Sequence, residues 1–164
     1  IANQVEPSFI RVEADEVTYN LHIILRYEIE KQLFNGDLEV SDLPKIWNSM
    51  FKEWFGLDVE NDSTGVLQDI HWSKGAFGYF PTYTLGNLYA AQLFDKMKSE
   101  FGNVNEMIEK GNWLPILEWL RENIHEKGRL YNPSDLIEKA TGTTPSSKPF
   151  LNYINETYCN IYNF

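Results

Sequence analysis

The chain holds 164 residues, a length that fits one domain able to bury a real core. Apolar content of 43% and aromatic content of 15% exclude a disordered chain, and a net charge of −10 speaks against nucleic acid or an anionic membrane as partner, because both need a basic footprint. No apolar run reaches the length of a membrane span, no signal-peptide pattern opens the sequence, and the single Cys159 allows neither an internal disulfide nor a cysteine metal knuckle, so a reducing, cytoplasmic setting is expected.

The sequence opens on Ile1 rather than methionine and soon enters dense helical pattern, as a piece of a longer chain would. It shows no internal repeat. A first helix is expected from Asp15 to about Phe34, with Val17, Leu21, Ile24 and Leu25 spaced by three and four on one inward face. Asn35-Gly36 stops it, since both residues tolerate the left-handed conformation at a helix end. A second helix starts at Ser41 as N-cap, takes Pro44 in its first turn, and carries Leu43, Ile46, Trp47, Met50, Phe51 and Trp54 up to Gly56.

Residues 57–79 break the pattern. They hold Asn-Asp-Ser-Thr-Gly, an alternating apolar piece at Val66–Ile70, and the pair Gly75 and Gly78. From Phe80 the pattern is helical again, with Pro81 in the first turn and Leu85, Leu88, Tyr89, Gln92, Leu93 and Met97 extending it to about Phe101. Shorter helices are expected at Val104–Glu109 and at Leu114–Glu126, the latter with Leu117, Leu120 and Ile124 on one face. Asn132-Pro133-Ser134-Asp135 starts another that Gly142 ends, and Phe150–Tyr162 makes the last. The fold class is therefore all-α, a single helical unit over 1–164 with one irregular glycine- and aromatic-rich loop.

That loop, GVLQDIHWSKGAFGYFPTYT, holds the residues with chemistry to offer. Loops on rigid helical scaffolds are where functional side chains concentrate, and His71 sits in one. Tyr83 follows the glycines in the first turns of the next helix. A neutral imidazole and a phenol each carry one hydrogen-bond donor, and two such donors converging on one point can stabilise an oxyanion. Core packing of Tyr79, Phe80 and Tyr83 explains the same aromatics, so both readings stand at this stage. Arg11, in IRVEAD, offers a guanidinium fork that matches a carboxylate. It equally suits a salt bridge to Glu13, Asp15 or another of the 24 acidic residues, and Arg26, Lys74 and Arg121 compete for the anion-binding role. His125-Glu126 opens like an H-E-x-x-H zinc motif, but position 129 is Arg129, so the second histidine is missing. His22, beside Leu21 and Ile23, is expected as a hydrogen-bonded, partly buried structural histidine.

IRVEAD at 10–15 matches the pattern I-R-x-x-A-D, and GVLQDIHW at 65–72 matches G-x-x-Q-D-x-H-W. Together they resemble the signature motifs of the M32 family of metallocarboxypeptidases, the thermostable type. The likeness continues through DEVTYNLHIILRYEIE, GYFPTYTLGNLYAAQL and the ATG and Phe-Leu-Asn-Tyr-Ile ending, and so covers essentially the whole chain. The resemblance implies a mostly helical, zincin-like peptidase that releases single residues from peptide C-termini, with the present sequence as its C-terminal portion. It implies zinc or cobalt held by an upstream H-E-x-x-H region, no metal on this chain, and no activity from this portion alone. It further implies a homodimeric intact enzyme acting on peptides with a free C-terminus. On this view His71 and Tyr83 are oxyanion donors, and their twelve-residue interval resembles that of the related M3 oligopeptidases. Tyr79 belongs to the same wall, and Arg11 holds the substrate α-carboxylate. Gln68 and Asp69 stand with the substrate-binding residues and orient His71, because an amide or carboxylate partner fixes an imidazole tautomer. The alternative from another class is a non-catalytic helical interaction module descended from such an enzyme.

Overall fold

The computed structural model describes residues 3–163, so the opening Ile1 lies outside it. Among the described residues there are seven α-helices and no strand, as the all-α reading expected. They are α1 (Tyr19–Asn35), α2 (Leu43–Phe55), α3 (Pro81–Phe101), α4 (Val104–Glu109), α5 (Leu114–Asn123), α6 (Pro133–Thr141) and α7 (Lys148–Tyr162). None of these helices is long and apolar enough to cross a membrane. The chain divides into two compact units, 1–85 and 86–164, with the boundary inside α3.

The core of the first unit is aromatic. Leu25 and Ile29 of α1 meet Trp47, Phe51 and Phe55 of α2, with Leu38 and Val66 closing the cluster. Phe51 is fully buried and stacks on Phe55 at 4.5 Å and on Trp47 at 6.2 Å. In the second unit Met97, Val104, Trp119 and Ala140 form a smaller cluster. There the buried Gln92 amide donates to Thr141 Oγ1 and to the carbonyls of Thr143 and Thr144, while its oxygen accepts from Ser146 N.

Several boundaries fall where backbone chemistry dictates them. Gly36, Gly56 and Gly142 end α1, α2 and α6 in the left-handed conformation, and Pro81 opens α3. Others move. α1 begins at Tyr19, four residues later than expected, because the Asp15 carboxylate takes the N–H groups of Val17 and Thr18 and the Thr18 hydroxyl into a turn before the helix. Ser41 is not an N-cap but lies within a 3-10 turn, Val40–Asp42, ahead of α2. α5 stops at Asn123, a separate 3-10 turn covers His125–Lys127, and Leu117 is exposed where Trp119 is buried. In the irregular loop, Val66 and Leu67 lie in a turn tied by Leu67 N to the Asp62 carbonyl.

The larger correction concerns which face of α1 turns inward. Leu21 and Ile24 are exposed, while His22, Arg26 and Glu30 are buried at spacings of four alongside Ile23, Leu25 and Ile29. Apolar periodicity failed because the inward stripe carries ionisable groups. His22 is fully buried, packs 4.4 Å from Phe55 and 5.6 Å from Phe51, and has no hydrogen-bond partner on either ring nitrogen. The hydrogen-bonded, partly buried histidine expected there is instead fully buried and unbonded. Burial, with the charges of Arg26 and Arg11 adding and Asp69 and Asp15 opposing, pulls it from 6.5 to about 4.

A folded-state value below the unfolded one means that acid protonates the unfolded chain first. The contribution is complete above the unfolded value of 6.5 and is lost as pH falls from there towards about 4. The whole window is worth roughly 3 kcal/mol at about 1.4 kcal/mol per pK unit. Urea unfolding at pH 7.5 and pH 5 is expected to show a clearly smaller stability difference in His22→Leu than in the parent chain. An unchanged difference would remove His22 from the acid sensitivity.

Candidate active site

The residues singled out in the loop converge within the first unit. His71 initiates a 3-10 turn, Trp72–Lys74, that closes at Gly75 with φ 70°. Its carbonyl accepts from Ala76 N, and Trp72's from Gly75 N, the paired bonds of a left-handed helix end. Gly78 repeats the left-handed conformation with φ 73°, and Phe80 then enters α3 fully buried. Side chains strongly disfavour such φ values, so the two glycines allow the chain to double back within ten residues of His71. Gly65 answers a different need: a Cβ there would lie 2.7 Å from Val59 Cγ1 and 3.1 Å from the Asn61 carbonyl.

This fold places His71 Nε2 3.0 Å from the Tyr83 hydroxyl, on the first turn of α3. The imidazole rests 4.3 Å from Phe80 and is flanked by Tyr79 at 5.7 Å. Tyr79 is half exposed and its ring lies 5.4 Å from that of Tyr83. His71, Tyr79 and Tyr83 are therefore brought together. Burial holds the His71 imidazole below 6.5, Asp69 pushes it back up, and Arg11 and Arg26 add to the downward pull. A neutral ring with one N–H follows at neutral pH.

Arg11 joins the same place from the other motif. Its guanidinium lies 5.1 Å from the centre of the Tyr83 ring. Nε and Nη2 donate to Asp69, Nη2 at 2.6 Å, and Nη1 donates to the Tyr19 hydroxyl at 3.1 Å. A guanidinium has five N–H groups, so Nη1 and Nη2 each keep one beyond these bonds. Burial lowers the Arg11 value, but the hydrogen bond and charge of Asp69, with Tyr19, raise it on balance.

Gln68 and Asp69 stand behind this group and do not hydrogen-bond the imidazole. Asp69 accepts from Arg11 and, at 2.7 Å, from Nε of Arg26. Its carboxylate comes no closer than 3.8 Å to His71 Nδ1, which has no hydrogen-bond partner. Gln68 accepts from Arg11 N and Arg26 Nη2 and donates to the carbonyls of Phe9 and Thr64. Burial pushes the Asp69 carboxyl upward, but the hydrogen bond from Arg11 and the charges of both arginines leave it below the usual range.

Two participants escaped the sequence reading. Arg26, considered there only as a rival of Arg11, is fully buried and lies 4.7 Å from Trp47 and 5.3 Å from Phe80. Burial pulls it down to about 10 against the raising effect of Asp69, so it stays charged at neutral pH. Glu30 accepts from Trp72 Nε1 at 2.7 Å and from Gly78 N at 3.0 Å. The available signal was the spacing of His22, Arg26 and Glu30 by four on a helix whose other residues are largely apolar.

The described residues contain no group of three His, Cys, Asp or Glu side chains that could hold a metal ion. Near His71 the donors do not fit one: Asp69 is saturated by two guanidiniums, whose positive charge opposes a further cation.

Comparison with known proteins places this geometry in context. The family described as carboxypeptidase Taq (M32) metallopeptidase matches residues 1–158. The chain is 49% identical over 160 residues to thermostable carboxypeptidase 1 of Thermus thermophilus, covering 98% of this chain and 31% of that protein. It is 46% identical to carboxypeptidase 1 of Bacillus subtilis, again over 98% of this chain and 32% of the relative. The crystal structure of an M32 carboxypeptidase from Deinococcus radiodurans R1 superposes with a TM-score of 0.96 at 36% identity, covering 99% of this chain and 33% of that one. The chain thus spans about a third of the length of the relatives it matches.

Proposed function

Because the chain belongs to the carboxypeptidase Taq (M32) metallopeptidase family, as IRVEAD and GVLQDIHW implied, we propose that it forms one wall of a carboxypeptidase cleft. The reaction is release of single residues from peptides with a free C-terminus. The observation that carries this reading is the convergence of His71, Tyr83 and Arg11: an imidazole and a phenol 3.0 Å apart, with a guanidinium 5.1 Å from the phenol ring.

In this reading the neutral His71 carries its proton on Nε2 and donates to Tyr83, which leaves the phenol proton for the substrate. As the scissile carbonyl becomes tetrahedral, Tyr83 donates to the developing oxyanion, and His71 polarises the phenol or donates directly. Preorganised neutral donors suit this task because they stabilise charge that exists only in the transition state. The remaining N–H groups of Arg11 hold the substrate α-carboxylate, and Tyr79 forms the adjoining wall. Gln68 and Asp69 act from behind by fixing Arg11. The metal of the family is assigned to the remainder of the full-length protein, outside the residues of this chain.

In the full-length protein, His71→Ala is expected to lower kcat by about 100- to 1000-fold, the usual loss for one oxyanion donor, with bound metal unchanged. An unaltered kcat would take His71 out of the reaction. Arg11→Lys keeps the charge beside Asp69 but loses the fork. It is expected to lower kcat/KM on free-carboxylate peptides by about tenfold or more relative to C-amidated ones. An equal loss on both substrates would show that Arg11 serves the fold and not the carboxylate.

A further inference from the structure

We infer that Glu30 is a positioning residue that holds the His71 loop in its working shape, an inference that rests on the reading of His71 as an oxyanion donor. Glu30 is 4% exposed, and each of its oxygens is used by a different part of the loop. Oε1 accepts from the Trp72 indole and Oε2 from the Gly78 backbone. These two donors lie on either side of the left-handed turn at Gly75. One is the residue directly after His71, and the other is the residue directly before Tyr79. The carboxylate therefore bonds the chain neighbour of each of these residues.

The residue type matches the task. A carboxylate offers acceptors on both oxygens and no donor. Glutamine would turn an amide N–H₂ towards one of two N–H groups, and leucine would leave both without an acceptor. One turn earlier on α1, Arg26 grips Asp69, two residues before His71. One turn later, Phe34 meets Phe77 edge-on at 5.2 Å. A single stripe of α1, Arg26, Glu30 and Phe34, thus holds the loop at Asp69, Trp72, Phe77 and Gly78. His71 projects from the segment between Asp69 and Trp72, and Tyr79 follows directly after Gly78.

The test compares Glu30→Gln and His71→Ala in the full-length protein, with kcat expressed per folded, metal-loaded molecule. The expected result for Glu30→Gln is a fall in kcat of about tenfold with KM within about twofold, the scale of one lost bond to a charged acceptor. The Trp72 indole N–H resonance should shift, as it does when a carboxylate acceptor is replaced. Should Glu30→Gln fail to fold, Trp72→Phe deletes one donor, keeps an aromatic ring, and is expected to lower kcat in the same way. If His71→Ala abolishes turnover while the Glu30 or Trp72 variant lowers only the melting temperature, the positioning role is overturned and the active-site reading survives. If His71→Ala turns over normally, both fall together.

Discussion

The carboxylate of Asp69, shared between the guanidiniums of Arg11 and Arg26, is the contact on which the first unit depends. It joins three separate stretches: the turn carrying IRVEAD, the inward face of α1, and the loop carrying GVLQDIHW. Arg26 is fully buried and Arg11 nearly so, and a buried cation is tolerable only with its partner in place. Losing the anion would leave two such charges uncompensated, an imbalance on the order of 3–5 kcal/mol for a broken buried pair. Gln68 completes the arrangement as a neutral member, since its amide accepts from Arg26 and Arg11 N on one side and donates to backbone carbonyls on the other. Two cations on one anion also leave positive charge behind His71. That charge works with burial to keep the imidazole of His71 neutral, a state that leaves one ring N–H to donate in the proposed reading.

Electrostatics and packing act here on the same atoms. Phe80 is buried beneath His71, Arg26 lies between Phe80 and Trp47, and the Arg11 guanidinium lies close to the Tyr83 ring. The aromatic surfaces fix the guanidiniums laterally, while Asp69 and Gln68 fix them in the plane of their N–H groups. Such a support leaves little freedom to the first turn of α3, where Tyr83 stands. In the proposed reading, a donor pair that must already be aimed when the carbonyl arrives needs this kind of backing.

How far the sequence discloses the arrangement depends on the kind of signal. Gly36, Gly56, Gly142 and Pro81 mark helix ends because the backbone at those points needs residues of their type, and their effect is local. The two motifs could be recognised, and their meeting is a matter of three dimensions: Arg11 N and Gln68 are 57 positions apart yet bonded. The inward face of α1 was misread because hydrophobic periodicity assumes that apolar residues face the core. There His22, Arg26 and Glu30 face inward, and Leu21 and Ile24 face out. The partner of Arg11 stayed open in the sequence for a related reason, since ion pairing is not directional along a chain and Glu13, Asp15 and Asp69 were all eligible. The approach of Tyr83 to His71 was one of two readings that the residues allowed, and the resemblance favoured it. The turn between them runs through two left-handed glycines, and Glu30 of α1 accepts from both sides of it.

The claim that His71 and Tyr83 face the reacting carbonyl is tested most directly by a crystal structure of the full-length protein with a peptide phosphonate, whose tetrahedral phosphorus imitates the attacked carbon. The account predicts a phosphonyl oxygen within about 2.5–3.2 Å of Tyr83 Oη or His71 Nε2, and the analogue's terminal carboxylate on the outer N–H groups of Arg11. A bound phosphonate that leaves the His71–Tyr83 bond intact, with its oxygens and carboxylate held by other groups, would contradict it.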